Sequence, residues 1–120
     1  MDKVRILVAD DEPGVRFLVG SCLRQEGYDV IEVSDGEEAL QAAEDMDPSL
    51  IILDIFMPKM TGFEMCQRVR GWSKVPILMI SASGGEENES KSRNLGADDF
   101  LGKPFRIDDL INRVQTLLQR

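Results

Sequence analysis

Five side chains of this 120-residue sequence stand where chemistry could be built: Asp10, Asp11, Asp54, Ser81 and Lys103. Each closes or follows a short apolar run. Asp10-Asp11-Glu12 stops the run from Val4 to Ala9, and Asp54 follows Leu50-Ile51-Ile52-Leu53. Ser81 follows Pro76 to Ile80, and Lys103 lies just past Asp99-Phe100-Leu101. Three carboxylates brought together repel one another, so they must protonate or find a cation. Lys103 offers one positive charge. A hard divalent ion with oxygen ligands, Mg²⁺ above all, supplies the rest, and such an ion takes one or two carboxylates beside waters and phosphate. Carboxylate, Mg²⁺ and ammonium are the parts that stabilise a phosphoryl group in transfer, whose charge spreads over its equatorial oxygens. An aspartate can itself be the acceptor, as an aspartyl phosphate. Ser81 would then hydrogen-bond a phosphoryl oxygen.

These residues need elements to position them, and the pattern supplies five strands alternating with five helical segments. The strands read Val4–Ala9, Tyr28–Val33, Leu50 to Asp54, Pro76–Ile80 ending at Ser81, and the short Asp99-Phe100-Leu101. The first helix starts at Pro13, whose missing N–H costs nothing in a first turn, and ends at Gly27. Val15, Leu18, Val19, Cys22 and Leu23 recur along it at helical spacing. Ser34-Asp35-Gly36 turns into Glu37–Met46, which Asp47-Pro48 breaks. A third helix runs from about Phe63 to Arg70, and the last carries Ile107, Leu110, Ile111, Val114, Leu117 and Leu118 as a core stripe. Such alternation implies an α/β fold, a parallel sheet with helices on both faces and right-handed crossovers. Ligands of these sheets bind beyond the carboxyl ends of the strands, near the point where strand order reverses. The five side chains all stand at that edge.

Composition narrows the function. The 120 residues predict one domain over 1–120, with a hydrophobic fraction of 42% that is too high for a disordered tail. A net charge of −8 argues against direct nucleic-acid binding, which needs a basic face. No apolar run approaches the ~20 residues of a membrane span, and the start reads as a strand and not as a signal peptide, so a cytoplasmic location is expected. Cys22 and Cys66 form neither a disulfide framework nor a zinc motif, and lie on apolar helix faces. The sequence contains no His. Triads, zinc sites and phosphohistidine are therefore excluded, and any phosphoryl donor must be another molecule.

Taken in order, the segments ILVADDE (6–12), DGEEAL (35–40), LIILDIFMPKMTG (50–62), VPILMISA (75–82) and GADDFLGKPF (96–105) resemble the receiver domain of two-component response regulators. The likeness runs over nearly the whole chain. It implies a flavodoxin-like doubly wound (βα)5 fold with strand order 2-1-3-4-5. It also implies a phosphorylation-activated switch, not a free-standing enzyme, that takes its phosphoryl group from a histidine kinase or phosphotransfer protein. Asp54 matches the phosphoacceptor. Asp11, Asp54 and the carbonyl of Phe56 match direct Mg²⁺ ligands, with Asp10 holding a metal-bound water. Lys103 matches the lysine that pairs with the phosphoryl group, before a cis bond to Pro104. Ser81 and Phe100 match the switch pair, with the N–H of Ala82 contacting phosphate. Dehalogenase-type phosphatases want a second Asp two residues after the first, where this chain has Phe56. Flavodoxins want a phosphate loop where it has Asp10-Asp11-Glu12. A receiver-like interaction module that takes no phosphate is the alternative.

Several positions depart from the pattern. Phe100 lacks a phenol hydroxyl, Gly102 stands where Thr is common, and Phe56 and Ser83 hold the two positions that tune access of water to the phosphoryl group. Bulky Phe56 is expected to shield it. Gly84 to Asn94 contains no apolar residue, and Ser90 and Arg93 stand where aliphatics are usual. A fourth helix there has no stripe with which to dock and should be held mainly by Leu95. That face, with the fifth strand and fifth helix, is the expected output and homodimer surface, with Lys91, Asp98, Asp99, Asp109 and Arg113 as pairing groups. The final Leu117-Leu118-Gln119-Arg120 carries no stop signal, which leaves a following effector domain open.

Overall fold

A computed structural model describes residues 3–82 and 85–119. Ser83, the second access-tuning position, and Gly84 lie outside those residues. Five strands alternate with five helices: β1 Arg5–Ala9, α1 Pro13–Gln25, β2 Asp29–Val33, α2 Gly36–Met46, β3 Leu50–Asp54, α3 Gly62–Arg70, β4 Ile77–Ser81, α4 Glu86–Asn94, β5 Asp99–Gly102 and α5 Ile107–Leu118. The elements match those read from the pattern, with ends displaced by a residue or so. The strands form one parallel sheet in the order β2-β1-β3-β4-β5. Order reverses between β1 and β3. That places the ends of those two strands, Ala9 and Asp54, beside the crevice such sheets offer to ligands.

The sheet is apolar on both faces because successive side chains of a strand alternate between them. Leu7, Ala9, Ile51, Leu53, Ile77, Met79 and Phe100 share one face with Ala39 and Ala43 of α2 and with Met65, Cys66 and Val69 of α3. Ile6, Val8, Leu50, Ile52, Leu78, Ile80 and Leu101 share the other with Val19 and Leu23 of α1 and with Leu110, Val114 and Leu117 of α5. Every residue of β3 and β4 is buried. This is the physical meaning of their unbroken apolar runs.

Local chemistry sets the helix starts that frame the crevice. Asp35 caps α2, its side chain accepting from the Glu38 N–H at 2.8 Å, and that bond holds its carboxyl below the usual range. Thr61 caps α3 by accepting from the Glu64 N–H at 3.2 Å. Gly62 follows because a Cβ there would run into the Asp54 carbonyl, and its N–H instead reaches the Ile55 carbonyl at 2.6 Å. The β3–α3 loop can therefore turn directly under the end of β3.

α4 is the poorly docked element. Of its nine residues only Ser92 is buried, and the Ser92 hydroxyl donates to the Asn88 carbonyl of the same helix at 2.8 Å. The inward-facing position is therefore Ser92. Ser90 and Arg93, which stand where aliphatics are usual, are both exposed. Leu95, just past the helix, is partly buried against the core as expected. α5, by contrast, buries Leu110, Val114 and Leu117. Helices with few buried apolar contacts open at low free energy. Backbone amides of residues 86–94 are expected to exchange with deuterium at least about tenfold faster than those of 110–117. Equal protection would contradict this account of α4.

Candidate functional site

At the carboxyl edge, β1, β3 and the β5–α5 connection bring three carboxylates and one ammonium together. Asp10 is fully buried just beyond β1. Its Oδ1 accepts from the Glu12 N–H at 2.9 Å, a local turn that Asp favours, and its carbonyl accepts from Arg16 at 2.7 Å. Asp54 ends β3 at 4% exposure, and the next N–H, of Ile55, donates to the Ile80 carbonyl at 3.1 Å. Lys103 follows β5, and its N–H donates to the Ser81 carbonyl at 2.8 Å. The Lys103–Pro104 peptide is cis, as the resemblance implied.

The Lys103 ammonium lies 2.8 Å from Glu12 Oε1, 2.9 Å from Asp10 Oδ2 and 3.5 Å from Asp54 Oδ2. Oxygens of these three carboxylates lie within 4.8 Å of one another. Burial alone would disfavour the charged lysine, but the bonds to Glu12 and Asp10 and the charges of Asp10 and Asp54 outweigh it, and the ammonium is held charged. Asp54 fares differently. Burial, together with the negative charges of Asp10 and Asp11, pushes its carboxyl up to about 7 against the pull of Lys103. The distances explain why: the ammonium is nearest Glu12 and Asp10, so Asp54 receives the smallest share of its charge.

The donors fit a hard divalent cation. They are all carboxylate oxygens, they carry more negative charge than one lysine offsets, and among the described residues buried Asp10 Oδ2 has only the shared Lys103 ammonium beside it. The site is also open: Glu12, Val15, Leu18, Ala82, Lys103, Pro104 and Phe105 line a cavity of about 370 Å³ at its mouth. A larger hollow of about 590 Å³ lies at the opposite end of the strands, between Lys3, Arg5, Arg24 and Asp29, and none of these site residues reaches it.

Placement of the expected residues is uneven. Asp10, Asp54 and Lys103 come together, with Ser81 fully buried beside them at the end of β4 and Ala82 exposed at the mouth. Asp11 is exposed and is not one of the three gathered carboxylates, although its charge acts on Asp54. Glu12 takes that place. In the sequence it is only the last residue of an acidic stop, yet its longer side chain reaches Lys103 across the crevice. Phe56 is half exposed and lies edge-on to Phe63, with ring centroids 6.3 Å apart at 83°. Phe100, the aromatic of the expected switch pair, lies inward at 7% exposure, packed in the core. Asp98, expected to face a second copy, is engaged within the chain: its Oδ2 accepts from Arg70 at 2.9 Å and from the Ile77 N–H at 2.9 Å. Asp99 likewise pairs with Arg113 at 2.7 Å and with Arg93 at 3.3 Å.

A doubly wound five-stranded sheet with an acidic group and a lysine at its switch point defines the class of receiver modules. Sequence comparison identifies the family: the model of the response regulator receiver domain matches residues 6–115, and the chain belongs to that family. The alkaline phosphatase synthesis transcriptional regulatory protein PhoP of Bacillus subtilis is 44% identical over 117 residues, which cover 97% of this chain and 49% of PhoP. The chain thus spans about half the length of the curated relatives it matches. The receiver domain of Francisella response regulator 1452 superposes with a TM-score of 0.93 at 32% identity, covering 98% of both chains. The BeF3-activated N-terminal receiver domain of Klebsiella pneumoniae RstA also gives 0.93, at 27% identity, covering 97% of this chain and 99% of that one. Among the described residues no helix is long and apolar enough to cross a membrane.

The raised Asp54 carboxyl has a consequence for stability. Its folded value of about 7 lies above the ordinary 3.8, so between these values the folded state holds a proton that the unfolded state has released. Stability contributed by Asp54 is full below about pH 4 and is lost as pH rises to about 7. Asp54→Asn is therefore expected to stabilise the metal-free chain above pH 7, by about 1–4 kcal/mol, with little effect near pH 4. Urea unfolding in chelator at both pH values checks this; a destabilised variant at high pH would contradict it.

Proposed function

We propose that Asp54 accepts a phosphoryl group from a phosphohistidine of a histidine kinase or phosphotransfer protein, in a reaction requiring Mg²⁺. An Asp54 oxygen attacks phosphorus, the P–N bond of the donor breaks, and the imidazole leaves on the partner. The observation that carries this reading is the buried, under-compensated Asp54 carboxylate at the switch point of the sheet. Asp10, Asp11, Asp54 and the Phe56 carbonyl would hold the metal, with Glu12 close enough to join or to release Lys103. When bound, Mg²⁺ supplies positive charge to acceptor and phosphoryl oxygens alike. The chain's own residues do the rest. Lys103 offers an ammonium that moves from carboxylate to phosphoryl oxygen, Ser81 supplies a hydroxyl, and the Ala82 N–H at the mouth is a further donor.

In this reading the domain is a switch and not a free-standing enzyme. The new dianionic group draws Ser81 and Lys103 toward it, and the change is read at α4, β5 and α5. A homodimer through that face would require the Asp99–Arg93 and Asp99–Arg113 pairs to exchange partners. PhoP is by name a transcriptional regulatory protein, which supports an output in transcription. A receiver-like module that takes no phosphate would have no use for three gathered carboxylates around one lysine.

Incubation with a small phosphodonor and Mg²⁺ is expected to add one phosphoryl mass to the wild type and none to Asp54→Asn. No gain in the wild type would reject the proposal. Phe56→Asn should shorten the lifetime of the phosphorylated form by several-fold, because it removes bulk next to the acceptor. An unchanged decay rate would remove Phe56 as a shield.

A further inference from the structure

α4 needs an attachment that its sequence does not provide in the usual way. Residues Glu86–Asn94 hold no apolar side chain, and a helix without an apolar stripe has little to dock with. At its C-terminal end, Arg93 donates to the Asp98 carbonyl at 3.2 Å and to Asp99 at 3.3 Å. Nearer its middle, the Lys91 ammonium lies over the Phe63 ring, 4.4 Å from the centroid. A lysine so placed lays its methylene stem on the protein and its charge on the electron-rich face of the ring. Phe63, in the first turn of α3, meets Phe56 edge-on. Phe56 in turn stands two residues after Asp54, in the loop whose carbonyl is expected at the metal. Gly85 and Gly96, at φ +111° and +107°, put a left-handed joint at each end of α4.

We infer that Phe56, Phe63 and Lys91 form a contact relay from the acceptor loop to α4, in which Phe63 and Lys91 are positioning residues for Phe56. The inference deepens the phosphoacceptor reading, since it names how that loop and the output helix are joined. Each contact couples its two partners, and coupling is reciprocal: what displaces Phe56 loosens Lys91, and what displaces α4 frees Phe56. Because α4 is weakly held, a contact of this size is a large fraction of its attachment.

The test is a double-mutant cycle on amide exchange of residues 86–94 in the ligand-free chain. Phe56→Leu and Lys91→Gln are each expected to speed exchange about two- to fivefold, and the double variant to do no more than either alone. Lys91→Arg, which keeps a cation over the ring, should retain wild-type exchange. Multiplicative effects in the double variant, or no effect of Phe56→Leu on α4, would overturn the relay. A second arm adds Mg²⁺ and beryllofluoride. The wild-type change in α4 exchange should shrink about two- to fivefold in Lys91→Gln and survive in Lys91→Arg. A beryllofluoride-bound Lys91→Gln responding like wild type would also overturn it. A wild type that binds no beryllofluoride while the cycle shows coupling would reject the phosphoacceptor reading and leave the relay standing.

Discussion

At the carboxyl edge of the sheet, one ammonium faces three carboxylates. Lys103 lies within 3.5 Å of Asp10, Glu12 and Asp54, and its single charge cannot satisfy them all. Two of the three share it closely. The third, Asp54, also buried, has its carboxyl pushed up to about 7, and a cation arriving beside it would favour loss of that proton. Such an arrangement costs stability, and groups perturbed in this way cluster at functional sites. The apolar sheet bears that cost. With every residue of β3 and β4 buried, the strand ends cannot move apart to relieve the repulsion.

The topology turns this local conflict into a site. Because β1 lies between β2 and the central strand β3, the ends of β1 and β3 are adjacent although Asp10 and Asp54 are distant in sequence. The connection after β5 then carries Lys103 over the edge, pinned by its backbone N–H to Ser81 of β4. Three strands are thus tied to one point.

Much of this was legible in the sequence, because strand ends and buried strands leave strong marks. The apolar run 50–53 stopping at Asp54 announces both the strand and the acceptor position. Val4 to Ala9 before Asp10, and the GADDF lead-in to Lys103, do the same for the other two groups. What could not be read depends on where a flexible side chain goes. Nothing in Asp10-Asp11-Glu12 says that Glu12 will reach Lys103 while Asp11 turns to solvent; a longer side chain and a turn built on Asp10 decide it. Phe100 was legible as an aromatic at a switch position, but its inward rotamer is a packing outcome. The weakness of α4 was visible in its composition, whereas its inward residue was not, since Ser90 and Ser92 differ only by helix phase.

Burial and the charges of Asp10 and Asp11 outweigh the share of Lys103 that reaches Asp54 and keep a proton on its carboxyl near neutrality, and a divalent cation would displace that proton. Calorimetric titration of Mg²⁺ into the chain, in buffers of different ionisation enthalpy, counts the protons released on binding. One Mg²⁺ site is expected, with a fraction of a proton released at about pH 6.5, release fading toward pH 8, and none at either pH in Asp54→Asn. Binding without proton release at pH 6.5, or no binding at millimolar Mg²⁺, would contradict it.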